Sequence, residues 1–273
     1  MDSRRRRRAF CVMLGGMTAT DPFRDLYRPD GTFRSEELQI MAKEGYLRHL
    51  FAQVYVASHV PETAALRARA LRLVLNQTAA PATAVCGETA AWVHLGAPAP
   101  ERLSLCTEGF LRHRPQMDLQ RQIHQVTLLD TEITGIDHLP VTTALRTAVD
   151  LFLGIGTVGS RGAVDKASQQ QAFFRTEVSY WPRRTSSWKP DEHVEALHDA
   201  DVAAWTRRME TLGRLLSHLQ SRGSDLETIA EEIMAVRARS YHRSRPTPEH
   251  RQCILEALDH SVSRRLPTVL YTS

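Results

Sequence analysis

The chain is poor in cysteine. Cys11, Cys86, Cys106 and Cys253 are the only four in 273 residues, and none forms a CxxC pair with another. That spacing argues against a zinc site and for free thiols in a reducing compartment, so a cytoplasmic location is expected. No apolar run approaches the length that crosses a bilayer, and no membrane partner is expected. The sequence also lacks the G-x-x-x-x-G-K-[ST] phosphate loop, the H-E-x-x-H zinc helix and the G-x-S-x-G nucleophile elbow. No catalytic residue, metal or cofactor is therefore assigned. Twelve histidines are scattered along the chain. His94, beside Trp92 in "AAWVHLG", has no second ligand at helical spacing and reads as a core histidine. Glu231 and Glu232 are adjacent on a helix, face different directions and make a poor acid-base pair.

What is present begins with charge. The net charge is +4, and it is accounted for by Asp2 and Arg4 to Arg8, so the chain from Ala9 onward sums to zero. Such a run reads as a solvated, disordered arm over 1–19, sometimes a phosphate-binding one. With "AFCVMLGGMTA" behind it the arm imitates a signal peptide, but the apolar stretch is short and broken by two glycines. A start at Met17 would leave a neutral chain. Hydrophobic content of 42% is enough for one large core or two smaller ones.

Three parts follow the arm. In 20–60, "RPDGTF" is a turn signal and "RSEELQIMAKEG" a helix with Leu38, Met41 and Ala42 inward and Gly45 closing it. "YLRHLFAQVYV" then reads as two tightly joined strands. Helix, glycine and hairpin match the recognition helix and wing of a winged helix, although the segment 17–60 carries five basic and six acidic residues. The candidate DNA contacts are Arg34, Ser35, Gln39 and Lys43 on the helix, with Arg48, His49 and Gln53 on the wing. The alternative is a helix-hairpin cap that binds no DNA.

Residues 61–172 read as α/β. "PETAALRARALRLVLN" is a helix with Pro61 in its first turn, and "CGETAAWVHLG" a short helix ending at Gly96. "RLSLCT", "RQIHQVTLL" and "TEITGIDHLPV", the last with a turn at Gly135, supply a small antiparallel sheet. In "LPVTTALRTAVDL", Thr142 or Thr143 caps a helix whose Leu145, Ala148, Val149 and Phe152 face inward, and Arg146 and Asp150 pair at the edge of that face. "SRGAVDKASQQQAF" is helical again. Residues 173–273 are mainly helical after a linker-like "RTEVSYWPRRTSSWKP". The fold class is α+β.

"GIGTVG" at 154–159 fits the G-x-G-x-x-G dinucleotide fingerprint, with Glu177 where a ribose-binding acid would lie. The threonine cap and helical period of the preceding segment favour instead a loop between two helices.

"TAAWVHLG", "LPVTTALRTAVDL" and "AVDKASQQ", in that order behind a helix-wing segment ending "QVYV", resemble actinobacterial AbiEi-type antitoxins of type IV toxin-antitoxin pairs. The similarity spans roughly 33–171, with Trp92, His94, Thr142, Thr143, Arg146 and Asp150 as its structural signature. It implies an N-terminal winged helix on inverted repeats in the chain's own promoter, an α/β antitoxin domain and a nucleotidyltransferase-class toxin encoded nearby. The chain departs from the family at Ala52-Gln53, where members tend to have a basic residue and glycine. It also departs in the few helix-forming residues before the wing. The expected function is a non-enzymatic antitoxin-like repressor of a toxin-antitoxin operon, with the middle and C-terminal parts serving homodimerisation and toxin response. An interaction protein of the same fold without DNA binding, and a nucleotide-binding enzyme using 154–159, are the alternatives.

Overall fold

The computed structural model describes residues 23, 25–29, 32–75, 83–96, 98–100, 102–107, 121–154, 199–241 and 248–263. The expected arm at 1–19, the glycines of "GIGTVG" after Gly154, Glu177, and the helix and linker expected over 160–190 lie outside them. The chain forms two compact units, 1–77 and 78–273.

In the first unit, β1 (Leu26–Tyr27), α1 (Ser35–Lys43), β2 (Leu47–Phe51), β3 (Val54–Ala57) and α2 (Ala64–Leu75) follow in order. The strands form an antiparallel sheet in the order β1-β3-β2. α1 is short, and packing fixes it: Leu38 is fully buried against Tyr27, Leu47 and Tyr55, with Met41 and Ala42 beside it. Its end is a Schellman turn, in which Gly45 N–H donates to the Ala42 carbonyl and Tyr46 N–H to that of Met41. Gly45 takes φ +80° there, a left-handed conformation that costs glycine no steric strain. α2 starts later than the Pro61 signal suggests. Thr63 Oγ1 accepts from Leu66 N–H at 3.1 Å and caps it, leaving Pro61 outside the helix. Because α2 belongs to the first unit, the boundary falls near 77 rather than at 60.

The second unit contains β4 (Thr83–Val85), α3 (Gly87–Leu95), β5 (Leu103–Thr107), β6 (Arg121–Gln125), a 3-10 turn (Asp130–Glu132), β7 (Ile133–Ile136), β8 (Leu139–Thr142) and α4 (Ala144–Leu153). Helices α5 (Asp199–Ser221), α6 (Leu226–Tyr241) and α7 (Pro248–Ser263) complete it. The sheet runs β6-β5-β4-β8-β7 and is mixed, correcting the antiparallel expectation: β4 is parallel to β8 and β5 to β6. The cause is local. β4 and β8 each run directly into a helix, so placing α3 and α4 side by side sets their strands parallel. The hairpin joining β7 to β8 turns at Asp137 and His138, both at positive φ (45° and 62°), while Gly135 lies within β7. Two positive-φ residues make a type I′ turn, whose twist matches its strands.

The C-terminal helices are not separate from the middle part, correcting the division at 172. Val149, Phe152 and Leu153 of α4 share one core with Leu212, Leu215 and Leu216 of α5, Ile229 and Ile233 of α6, and Ile254 and Leu258 of α7. The crossing of α5 over α7 is close: a Cβ at Gly213 would sit 2.5 Å from the Ser261 carbonyl oxygen. Gly213→Ala is accordingly expected to destabilise the second unit by about 1–3 kcal/mol despite alanine's better helix propensity. Urea unfolding would check this, and an unchanged or raised midpoint would show that the two helices part without cost.

Candidate functional site

α1 and the β2–β3 hairpin present the residues singled out for nucleic-acid contact. Arg34, Gln39, Lys43 and Gln53 are exposed, and Ser35 is half-buried at the first turn of α1. Two of the seven are otherwise engaged. Arg48 Nη1 donates to Glu62 at 2.7 Å and its Nη2 to the Val60 carbonyl at 3.0 Å. His49 Nε2 bonds the Ala52 carbonyl, and its ring packs edge-on against Tyr55 at 5.3 Å. These two side chains brace the hairpin. Glu62 also pairs with Arg67 at 3.2 Å; burial lowers the Arg67 pKa against the pull of Glu62. The hairpin tip is narrow, and Ala52 adopts φ +51°, a conformation that suits glycine.

Around the α1 candidates the surface is mixed in sign. Glu36, Glu37 and Glu44 are exposed beside Gln39, Ile40 and Lys43. Glu37 is partly spent, since its carboxylate accepts the Arg34 backbone N–H at 2.8 Å and closes the start of the helix.

The second unit holds a buried charge cluster on α4. Thr143 caps the helix by accepting from Arg146 N–H at 3.2 Å. Arg146 and Asp150 are each 1% exposed, well inside the unit rather than at the edge of a face. Arg146 Nε donates to Asp150 Oδ1 at 2.8 Å, and its Nη1 lies 2.9 Å from Glu132 Oε1. Arg239 from α6 reaches the same Glu132 oxygen at 2.5 Å, and the other oxygen accepts Leu129 N–H at 2.7 Å. Glu132 and Arg239 carry no signal in sequence, because they lie 107 residues apart. Burial alone would lower the Arg146 pKa, but Asp150 and Glu132 more than offset it and hold the guanidinium charged. Burial pushes the Asp150 carboxyl up while Arg146 pulls it down.

Around this cluster, Trp92 is buried in α3, and half-buried His94 bonds the Thr142 carbonyl at 2.8 Å through Nε2. Thr142 Oγ1 meets Thr147 Oγ1 at 2.8 Å. The six signature residues therefore hold α3, β8 and α4 together.

Cys86 and Cys106 are fully buried free thiols. Burial, and then the neighbouring Cys106 thiol, push Cys86 well above its ordinary pKa, which makes it a poor nucleophile. Among the described residues, no group of three or more His, Cys, Asp or Glu side chains could hold a metal ion, and no helix is long and apolar enough to cross a membrane. The segment before "GIGTVG" is helix α4, ending at Gly154 with φ +77°, where the dinucleotide fingerprint requires a strand. Comparison with protein-family models, with curated proteins and with solved structures finds no match for the chain.

Two outcomes follow from the buried groups. Arg146→Met leaves Asp150 as an uncompensated buried carboxylate and is expected to cost about 3–5 kcal/mol, whereas Arg146→Met with Asp150→Leu recovers much of that loss. Denaturant melts of the three proteins decide it, and an equally crippled double variant would show that the pair is needed for more than mutual neutralisation. Burial also pushes His124 on β6 down to about 4. Its folded pKa lies below the unfolded one near 6.5, so the unfolded state binds the extra proton. Stability is then complete above about pH 6.5 and falls toward pH 4, by roughly 3 kcal/mol from this group. His124→Gln would flatten that part of the profile, and an unchanged slope would locate the proton elsewhere.

Proposed function

We propose that the chain is a non-enzymatic, antitoxin-like transcriptional regulator that binds its own promoter through the first unit. The observation that carries this reading is the arrangement of that unit: α1 packs through Leu38 on a three-stranded sheet ordered β1-β3-β2, and its outer side and Gln53 at the hairpin tip are both exposed. A helix so mounted can enter the major groove while the hairpin lies along the backbone. Charge supports it. The first unit contains thirteen Lys and Arg against eight Asp and Glu, and the second twenty-two against twenty-three; the excess of the first unit is supplied by Arg4 to Arg8, residues 9–77 carrying eight against seven. A polyanion is the partner such an asymmetry favours.

With Arg48 and His49 bracing the hairpin, direct contact falls to Arg34, Ser35, Gln39, Lys43 and Gln53. The second unit takes the part of a rigid body for self-association or for a nucleotidyltransferase-class toxin. A second reading, an interaction protein of the same fold without DNA binding, is favoured by Glu36, Glu37 and Glu44 on the exposed side of α1.

Mobility shift of the full chain on its own upstream DNA separates the two readings. A shift that weakens steeply with salt, and is lost with Lys43→Glu, is the expected result. No shift at about 50 mM salt, from either the full chain or the form starting at Met17, would overturn the regulator reading in favour of the second.

A further inference from the structure

We propose that α1 reads an A·T base pair directly, Gln39 hydrogen-bonding the adenine and Ile40 covering the thymine methyl group; this rests on the DNA reading above. Ile40 is 51% exposed, and Leu129 in the second unit is the only other large hydrophobic residue exposed among the described residues. The inward face of α1 is already furnished by Leu38, Met41 and Ala42, so core packing gives Ile40 no role. Beside it, Gln39 is exposed and offers one amide donor and one acceptor. In the major groove, adenine N6 donates and N7 accepts, the pair complementary to the Gln39 amide oxygen and NH2, and its partner thymine presents the only methyl group of the four bases. Adjacent amide and apolar side chains thus match the two halves of one base pair.

The acidic residues around them limit what α1 itself can add to affinity. Glu36 lies one turn before Ile40 and Glu44 one turn after it, both exposed. Carboxylates in those positions repel phosphate, so the helix contributes little backbone attraction of its own. Phosphate neutralisation then falls to cations outside α1, with Lys43 the one α1 side chain able to share it. Sequence specificity and electrostatic affinity are in this way carried by different residues.

The test uses the full chain and a random duplex pool from which bound sequences are selected. Deoxyuridine then replaces thymidine, one position at a time, in the selected duplex. At one position the swap is expected to weaken the parent protein about three- to ten-fold, the worth of one buried methyl group, and to leave Ile40→Ala unaffected. Gln39→Ala is expected to lose a ten- to hundred-fold preference for adenine at the paired position. Both substitutions are at exposed positions, and the slope of log affinity against log salt should be the same in parent and variants. Indifference to deoxyuridine at every position, or equal sensitivity in Ile40→Ala, would overturn the base-reading proposal while leaving the regulator intact. Failure to select any duplex would instead remove the DNA reading itself.

Discussion

The second unit depends on one buried guanidinium. Arg146 sits in the first turn of α4 with its charge balanced by Asp150 on its own helix and by Glu132 in the turn before β7. A charge taken out of water is tolerated only where its partners are already in place, so this one residue fixes the distance between α4 and the Asp130–Glu132 turn. Glu132 extends the constraint further by also accepting Arg239 of α6. The register between the sheet, its covering helix and the C-terminal helices is set by that chain of three ion pairs. The apolar core of α4, α5, α6 and α7 supplies most of the attraction between the same elements, but apolar contacts alone do not choose a unique alignment.

Polar contacts serve α3 and β8 in the same way. His94 bonds the carbonyl of Thr142, Thr142 meets Thr147, and Thr143 closes the N-terminus of α4, so each step from strand to helix is held by a side chain rather than by bulk packing. Since β4 also leads straight into α3, two strand-to-helix junctions lie next to each other, and the parallel pairing of Val85 with Val141 follows. The antiparallel partners β5 and β7 are then added at either side. A mixed sheet is the consequence of placing the two junctions together.

How much of this was legible in the sequence depended on distance along the chain. The helix ending at Gly45, the strands on either side of Ala52, the cap at Thr143 and the pairing of Arg146 with Asp150 involve neighbours within a few residues, and local periodicity or spacing reveals such contacts. The burial of Arg146 was hidden, because an i,i+4 pair looks the same at a surface as inside. Glu132 and Arg239 were hidden for the opposite reason: nothing local distinguishes them from the other charged residues of a turn and a helix. The turn at Asp137-His138 was misplaced to Gly135 because glycine is the stronger turn signal, yet aspartate and histidine tolerate positive φ, and glycine is tolerated within a strand. Of the wing candidates, Arg48 and His49 read as residues free to touch the DNA backbone. Only the positions of Glu62 and the Ala52 carbonyl reveal that they serve the hairpin.

A helix that held its cations free would gain affinity for any duplex, and its preference for one sequence would be small beside that uniform attraction. In this unit Arg48 is tied to Glu62, and carboxylates flank the outer side of α1, so the helix itself adds little to non-specific attraction. Whatever discrimination it provides must come from short-range groups, and among its exposed side chains the amide of Gln39 and the branched chain of Ile40 carry the most base-specific chemistry. The acidic flank that weighs against α1 as a phosphate-binding helix is therefore consistent with α1 as a base-reading one.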